Sequence, residues 1–299
     1  MNTEKVLPRI IICCKPEHLK SELDKYEKTA TIEAEYGNIV VTGSLVTLAH
    51  HSPHYKSNCP PCEKENMNFN GLQIIGLSHF DLDTLGGILA ILGMKDSKDE
   101  PFWKLAGFID THGAHKISTY MSSNVSSVTS WSLDCIYSFW SYGSNNKILS
   151  PKDGTILDIT ENVKIYIQIL NRILNNDQEM YNLGQKWLQT QYNLNKKSFI
   201  KSSDNVILRC SESFVNHIYE DPHSTAKSYK AIVGFSEKYN SITISICDPI
   251  EGFSCSEFMK NMFGPTAGGH SGIAGTPRDT QYKFSDAIKV FEEVVKILN

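Results

Sequence analysis

The sequence lacks any long apolar run. None of its stretches approaches the roughly 18 consecutive apolar residues that a membrane-spanning helix needs, although the chain has 299 residues. Its first residues, MNTEKVLPRIIICC, include an acidic side chain and too short an apolar core for a signal peptide. We therefore expect no secretory leader and no membrane partner.

An excess of positive charge is also absent. Lysine and arginine number 29 against 33 aspartates and glutamates, for a formal net charge of −4. This balance argues against a protein that holds long duplex nucleic acid by charge alone. It allows a nucleotide or a short single-stranded oligonucleotide in one locally basic cleft. With 40% hydrophobic and 21% charged residues, the composition is typical of a soluble globular protein.

The eight cysteines show no regular spacing. A disulfide framework is therefore not expected, and the cysteines favour a reducing, cytoplasmic setting. Cys59 and Cys62 form one C-x2-C pair, close to His50, His51 and His54. A structural zinc site, a redox pair and a plain loop all remain open for this segment. Because it precedes the central strand, we expect it to lie over the functional site.

The chain is long enough for two domains. Runs rich in β-branched residues, such as VLPRIIICC (6–14) and NIVVTGSLVTLA (38–49), predict buried strands of an α/β fold. The polar segment NLNKKSFIKSSD marks a predicted boundary near residue 200. We expect an N-terminal domain with a parallel sheet over residues 1–200, and a smaller α/β domain with a mixed sheet over 201–299.

The most informative stretch runs from Gly71 to Gly93, GLQIIGLSHFDLDTLGGILAILG. A buried strand is predicted at its start and a helix at its end, with His79, Asp81 and Asp83 between them. In an extended chain the two-residue spacing puts these side chains on one side, at the carboxyl end of a strand, where open α/β sheets place their sites. Carboxylates this close repel unless a proton or cation neutralises them. A divalent metal site is predicted; a solvated turn capped by Asp83 is the alternative.

Two later segments repeat this arrangement. FWKLAGFI (102–109) predicts another strand, followed by Asp110, His112 and His115, and TILD ends in Asp158. Side chains at the carboxyl ends of neighbouring parallel strands would converge with the first group. Carboxylates with one or two imidazoles favour Mn²⁺ or Mg²⁺ over zinc.

The second half of the chain differs in character. Residues 229–235 and 241–247 alternate and predict a hairpin, and 285–298 predict an amphipathic helix. Between them, FGPTAGGHSGIAGTPR (263–278) contains five glycines. Backbone N–H groups and charged side chains of such a loop can bind a phosphate. The candidate substrate-binding residues are Gly268, Gly269, His270 and Arg278.

Together these segments resemble the DHH phosphoesterase superfamily with its DHH-associated C-terminal domain, which includes RecJ-type exonucleases and nanoRNases. HFDLDTLGG (79–87) is similar to the first family motif, and AGGHSGIAG (267–275) to the glycine–histidine loop of the associated domain. The resemblance covers residues 70–160 and 205–298. It implies a hydrolase with two manganese ions in a DHH-like domain and with substrate phosphate at the glycine loop.

The resemblance implies metal binding by His79, Asp81 and Asp83, and Asp158 stands where the last ligand is expected. It also implies that His270 and the neighbouring glycines hold the substrate phosphate. These roles follow from the family motifs and not from the spacing of the residues alone.

The sequence departs from the family at its namesake Asp-His-His motif, because Asp110 is followed by Thr111 and then His112. One metal ligand is missing on this alignment unless Asp110 or the loop 50–54 supplies it. Asp110 is the only evident bridge between two ions, with His112 or His115 on one of them. Asp110 and His112 are therefore the candidate catalytic residues.

We therefore predict a metal-dependent phosphoesterase that hydrolyses a phosphodiester or phosphomonoester of a nucleotide or short oligonucleotide. Two Mn²⁺ or Mg²⁺ ions would activate water and stabilise charge on phosphorus. A catalytically degenerate protein that binds a nucleotide or a metal is the first alternative. A zinc-stabilised interaction protein built round Cys59 and Cys62 is the second. The sequence leaves open whether the chain forms a homodimer.

Overall fold

The computed structural model describes residues 6–36, 39–52, 54–55, 58–277 and 280–299. The chain forms two compact units, Met1–Trp187 (unit 1) and Leu188–Asn299 (unit 2). The division lies within one helix, Gln178–Ser198, whereas the sequence suggested a boundary near residue 200. Each unit has its own main sheet, and the predicted α/β fold class is confirmed.

Unit 1 is built on a sheet that is mostly parallel. Its strands are β1 (Arg9–Ile12), β2 (Thr29–Ile32), β3 (Glu35–Tyr36), β4 (Ile39–Val40), β5 (Val46–Leu48), β6 (Ile74–Leu77) and β7 (Leu157–Asp158). The main sheet has the order β5-β2-β6-β1-β7. Four of its strands are parallel, and β7 joins the edge in the antiparallel sense. Strands β3 and β4 form a separate antiparallel pair.

Unit 1 also contains seven α-helices among its described residues, the last of which continues into unit 2. They are α1 (Pro16–Leu23), α2 (Leu82–Leu92), α3 (Glu100–His112), α4 (Ile117–Ser123), α5 (Ser127–Asn145), α6 (Thr160–Leu174) and α7 (Gln178–Ser198). Helix α2 follows β6 as predicted, and each of its 11 residues is buried. A helix that is buried on every side belongs to the core of its domain. Its neighbours therefore fix the position of its first turn, which carries Asp83.

The strand predicted over residues 102–109 was wrong. These residues lie inside α3, which begins at Glu100 and has Pro101 in its first turn. Its buried residues, among them Phe102, Leu105 and Ala106, recur at helical spacing. A short apolar run fits a buried strand and a buried helix equally well, so the run alone does not decide between them.

Unit 2 has a mixed sheet covered by two helices. Its elements are β8 (Phe199–Ser202), β9 (Val206–Ser211), β10 (Glu220–Asp221), β11 (Ser224–Ser228), β12 (Ala231–Ser236), β13 (Ser241–Ile246), α8 (Cys255–Phe263), β14 (Gly268–Gly269), β15 (Ile273–Gly275) and α9 (Phe284–Leu298). The six-stranded sheet has the order β14-β15-β13-β12-β9-β8. The predicted hairpin is confirmed as β12 and β13, and the predicted C-terminal helix as α9.

Unit 2 contains a fully buried arginine, Arg209 of β9. Its Nε donates to the carbonyl oxygen of Ile218 at 2.9 Å, and Nη1 donates to Asn195 O at 2.8 Å and Ser198 Oγ at 3.0 Å. Nη2 donates to Asn195 Oδ1 at 2.7 Å and Glu220 O at 2.8 Å. Burial lowers the pKa of Arg209 to about 10. The guanidinium thus joins the end of α7, β9 and the 218–220 segment.

The structure contains all eight cysteines as thiols. Within the described ranges, no helix combines the length and the apolar character needed to cross a membrane.

Candidate metal centre

Acidic and imidazole side chains meet at the carboxyl ends of three neighbouring strands in unit 1. Glu33 directly follows β2, His50 and His51 follow β5, and Asp83 lies in the first turn of α2 after β6. Asp110, from the last turn of α3, completes this group. These five residues are called the acid–histidine cluster. Their position is the edge at which open α/β sheets place their sites.

The Nε2 atom of His50 lies at the centre of the cluster. It is 2.9 Å from Asp110 Oδ2, 3.6 Å from Glu33 Oε1 and 3.9 Å from Asp83 Oδ2. The Nε2 atom of His51 is 3.1 Å from Glu33 Oε2 and 3.9 Å from Asp110 Oδ2. Two sets of three residues therefore bring their ligand atoms within 4.8 Å of one another, Glu33–His50–His51 and His50–Asp83–Asp110.

Four polar atoms of the cluster are buried and make no hydrogen bond. They are Glu33 Oε1, His50 Nε2, Asp83 Oδ2 and Asp110 Oδ2. His50 Nε2 and Asp110 Oδ2 are close, but they lack hydrogen-bond geometry. Buried polar atoms normally have a partner, because an unsatisfied one costs free energy. A cation is a partner that all four can share, so this donor set fits a metal ion.

A single carboxylate holds the backbone of residues 50–52, called here the histidine segment. Glu35 accepts hydrogen bonds from the backbone N–H groups of His50 at 3.3 Å and His51 at 3.2 Å, and from Ser52. Glu33, two residues earlier, has a left-handed backbone with φ of 49°. Its carbonyl oxygen accepts a hydrogen bond from Ser78 Oγ, just after β6. Non-glycine residues adopt this conformation only when their surroundings enforce it, so Glu33 and the two histidines are positioned before any ligand binds.

Asp83 is positioned by the turn that follows the histidine segment. Its Oδ1 accepts the backbone N–H of Cys62 at 2.8 Å, which leaves Oδ2 directed toward His50. The thiol of Cys62 contacts the carbonyl oxygen of Trp103, and burial raises the pKa of that thiol. Cys62 is thus a buried packing residue, while Cys59 is exposed. Among the described residues, neither cysteine belongs to a potential metal-binding group.

Proximity shifts the protonation equilibria of the cluster. Burial raises the pKa of Asp83 to about 7, and the charge of Asp110 adds to this effect. The hydrogen-bonding contact with Glu33 raises the pKa of His51 to about 9. Burial lowers the pKa of His50, but the nearby carboxylates of Asp110 and Glu33 outweigh it, so the net shift is upward. Without a metal, the cluster therefore retains protons to offset the repulsion between its carboxylates.

The structure brings Asp83 and Asp110 together but places two other predicted ligands at the edge of the site. Asp81 caps α2 by accepting the backbone N–H of Thr84 at 2.9 Å, so the cap is Asp81 and not Asp83. His79 lies 3.2 Å from Asp81, which raises the pKa of His79. The expectation of one extended segment was wrong, because the helix begins at Leu82. Asp81, Asp83 and Asp110 nevertheless line one cavity of about 250 Å³.

The other predicted metal ligands of unit 1 lie outside the cluster. His112 is exposed and stacks on Phe108, with ring centroids 4.4 Å apart. His115 lies in the short 3-10 helix that follows α3. Asp158 accepts hydrogen bonds from Arg9 Nε at 3.0 Å and from the hydroxyl of Thr160. The roles assigned to these residues remain predictions.

In unit 2, the glycine loop forms the edge of the sheet. Gly268 and Gly269 are β14 and pair with β15. His270 is exposed, and its backbone N–H donates to Ile273 O at 2.7 Å. Arg278 lies outside the described residues. Phosphate binding by this loop remains a prediction.

The cluster includes three residues that are not among the ligands predicted from the sequence: Glu33, His50 and His51. The two histidines were considered with the cysteines as a zinc site, and as a possible source of the missing ligand. Glu33 follows a four-residue strand, TATI, within a charged stretch that gives little apolar signal. An acid directly after a short β-branched run is the pattern that could have identified it.

Gly86 and Gly87 allow the turn at Pro61 and Cys62 to lie against α2. A Cβ atom on Gly86 would be 2.4 Å from Cys62 Cβ and 2.7 Å from its Cα. We expect Gly86→Ala to displace this turn, lower the free energy of unfolding by about 1–3 kcal/mol and weaken Mn²⁺ binding at Asp83. Urea unfolding and calorimetric titration measure the two effects. Gly143→Ala is the control, because its Cβ would meet only Tyr166 Oη at 3.9 Å. Equal stability of the two variants would contradict this packing argument.

Comparisons with known proteins give little guidance. No protein-family model and no curated protein matches the chain. One similar solved structure is an exopolyphosphatase-related protein from Bacteroides fragilis, with 14% identity, a TM-score of 0.34, and coverage of 84% of this chain and 63% of that chain. The chain thus spans less than two thirds of that protein. Another is an uncharacterized protein from Helicobacter pylori, with 14% identity, a TM-score of 0.23, and coverage of 79% and 80% respectively. Both TM-scores are below 0.5, so neither likeness indicates a function for this chain.

Proposed function

We propose that this chain is a divalent-metal-dependent phosphoesterase that hydrolyses a nucleotide or a short oligonucleotide, with Mn²⁺ as the favoured ion. The observation that carries the proposal is the acid–histidine cluster, with its four buried ligand atoms that lack hydrogen bonds. Three carboxylates with two imidazoles and no thiolate suit Mn²⁺ or Mg²⁺ better than zinc. The paired sequence motifs HFDLDTLGG and AGGHSGIAG support the same function class.

The cluster has enough donors for two ions, with Asp110 between them. An imidazole nitrogen has one lone pair and ligates one ion, so His50 cannot serve both ligand sets at once. A carboxylate can bridge, and Asp110 Oδ2 is 2.9 Å from His50 Nε2 and 3.9 Å from His51 Nε2. Glu33 and His51 would contribute to one ion site, and His50, Asp83 and Asp110 to the other, with Asp110 Oδ2 near enough to His51 to serve both. This arrangement supports the bridging role that the sequence suggested for Asp110.

The cavity beside the cluster gives substrate phosphate a place to bind. Bound ions would lower the pKa of a water molecule and stabilise negative charge on phosphorus. Asp81 keeps its N-cap hydrogen bond at the rim and pairs with His79, whose raised pKa favours the protonated ring. His79 can therefore donate a proton or a hydrogen bond to a phosphate or leaving oxygen. The apolar residues Ala106 and Ile136 also line the cavity.

One observation favours a second function, which is metal or nucleotide binding without turnover. The chain lacks adjacent Asp-His-His residues, and His112 is an exposed ring outside the cluster. A centre that holds one ion instead of two would bind substrate and hydrolyse it poorly. Metal stoichiometry and a hydrolysis assay separate the two functions.

A pair of histidine variants tests the proposed centre. We expect His50→Gln to lose Mn²⁺ binding and hydrolysis of the dinucleotide pApA, because its Nε2 lies among three carboxylates. His112→Gln should retain both, because its ring packs on Phe108. Metal content after dialysis and the rate of pApA cleavage are the measurements.

The outcomes of this comparison are distinct. Retention of Mn²⁺ by His50→Gln with loss in His112→Gln would move the centre to the position predicted from sequence. Wild-type protein that binds Mn²⁺ without cleaving pApA or mononucleotides would establish the binding function. Wild-type protein without affinity for Mn²⁺, Mg²⁺ or Zn²⁺ would refute the metal centre itself.

A further inference from the structure

Unit 1 contains a second pocket, of about 400 Å³, whose walls are mainly aromatic. Five rings line it: Phe80, Phe139, Trp140, Tyr166 and Trp187. Polar groups are few, and two of them, Ser144 and Lys147, are at exposed positions on the rim. An apolar concave site of this size with a few polar groups at its edge is typical of small-molecule sites.

The rings of this aromatic pocket are fixed by contacts with one another. Tyr166 donates from its hydroxyl to Asn146 O at 2.7 Å, and its ring meets that of Phe80 edge-on at 4.9 Å between centroids. The centroids of Trp140 and Trp187 are 5.3 Å apart. The walls are therefore flat surfaces held in place before a ligand enters, which reduces the entropy lost on binding.

The aromatic pocket adjoins the cavity of the acid–histidine cluster. Asp81, Leu82 and Trp140 line both spaces, and Asp83 and Asp110 line only the cavity beside the cluster. A molecule that fills the aromatic pocket thus lies next to the proposed metal centre. A substrate with a ring at one end and a phosphate at the other could occupy both spaces.

We infer that the aromatic pocket binds the base of a nucleotide whose phosphate lies at the acid–histidine cluster. This inference rests on the proposed function and deepens it, because it assigns the base of the nucleotide to one pocket. A nucleobase stacks on aromatic side chains whatever its identity, and its polar edge can reach Lys147 and Ser144. An alkyl chain would make no use of the charge of Lys147, and a polyphosphate would leave the aromatic walls uncovered.

Binding of adenosine tests the pocket without any phosphate or metal. We expect metal-free protein to bind adenosine at least about tenfold more tightly than ribose, because one base–aromatic stack is worth about that factor. Trp187→Leu should remove most of this preference. Trp187 lines the aromatic pocket and is not among the residues of the adjoining cavity. Calorimetric titration gives the affinities.

Kinetics with Mn²⁺ test whether the pocket serves catalysis. We expect wild-type protein to cleave pApA at least about tenfold more efficiently than the same molecule without its bases, measured as kcat/KM. Trp187→Leu should reduce this ratio mainly through KM, as expected when ground and transition states share a contact. Trp131→Leu is the matched control, a half-buried tryptophan on α5 that lies outside both cavities.

The base pocket and the hydrolase activity can be refuted separately. Equal affinity for adenosine and ribose, or equal effects of Trp187→Leu and Trp131→Leu, would overturn the base pocket even if pApA is cleaved. Base-dependent binding of adenosine that Trp187→Leu abolishes would support the pocket even in a protein that cleaves nothing. In that case the proposed hydrolase activity alone would be refuted.

Discussion

Asp110→Asn should reduce the rate of pApA hydrolysis in Mn²⁺ by roughly 10²–10³-fold, the scale on which active sites lose rate with one electrostatic group. Asparagine has the shape of aspartate but not the charge that would hold two cations together. In the metal-free chain the same change removes both the charge that raises the pKa of Asp83 and the carboxylate that raises the pKa of His50. We therefore expect Asp110→Asn to cost less stability at pH 8, where Asp83 is ionised, than at pH 5. Steady-state kinetics and urea unfolding give the two readouts.

The stability measurement has a defined pH window. The pKa of Asp83 is about 7 in the folded chain, against an ordinary value of 3.8. A raised carboxyl pKa contributes stability at low pH, and that contribution is lost as the pH rises through 7. At pH 8 Asp83 is ionised, so removal of the neighbouring charge should help most there. A purely structural role for Asp110 would instead lower activity and lower stability equally at pH 5 and pH 8.

Asp158→Asn is the control for this prediction. Asp158 was predicted from the sequence as a ligand, yet its half-exposed side chain pairs with Arg9 in the structure. We expect this variant to keep Mn²⁺ and most of its activity, with a stability loss within the roughly 1 kcal/mol of an exposed ion pair. If Asp158→Asn loses metal and Asp110→Asn does not, the assignment of the bridge is wrong.

Arg209→Leu should unfold unit 2 or destabilise it by more than about 4 kcal/mol, since each buried polar group left without a partner costs about 1–3 kcal/mol. Its guanidinium donates to five oxygen acceptors from two segments, the end of α7 and residues 218–220. Arg209→Lys should be nearly as damaging, because an ammonium group has three donors and no planar fork.

The two units can be followed separately during unfolding. The four tryptophans, Trp103, Trp131, Trp140 and Trp187, all lie in unit 1. Tryptophan fluorescence therefore reports on unit 1, and amide hydrogen exchange of β9, β12 and α9 reports on unit 2. We expect Arg209→Leu to accelerate exchange in unit 2.

Arg172→Leu provides the comparison for Arg209. Arg172 is 40% exposed and pairs with Asp177 and Glu179, so its loss should cost no more than about 1 kcal/mol. Comparable destabilisation by the two leucine variants would show that burial of Arg209 carries no special role.

The sequence predicted those elements whose pattern is local. The strand β6 and the helix α2 were evident from an apolar run interrupted by polar turn residues, and the hairpin β12–β13 from alternation. Asp83 and Asp110 were singled out because each is an acid that follows an apolar run. The cluster itself depends on strand order, which places β5, β2 and β6 side by side. Nothing in the spacing of Glu33, His50 and Asp83 encodes that order.

Two residues illustrate what the sequence could not supply. His112 was grouped with Asp110 because a two-residue spacing shares one side of a strand. In the helix that forms there, side chains two positions apart are related by a rotation of about 200° around the helix axis. They therefore lie on opposite sides of the helix, and His112 faces solvent. Asp158 ends an apolar stub as expected, but β7 runs antiparallel to β1. The strand β7 therefore ends toward the amino ends of the parallel strands, whereas the cluster lies at their carboxyl ends.

The burial of α2 on every side has a consequence for how the chain folds. A helix without a polar face does not persist alone in water, so it forms as the core collapses around it. Asp83, in its first turn, reaches its place beside Glu33 and His50 only when β2, β5 and β6 have assembled. Interactions that appear after the transition state change the unfolding rate and not the folding rate. A cation bound at the cluster would accordingly slow unfolding of the chain without changing its folding rate.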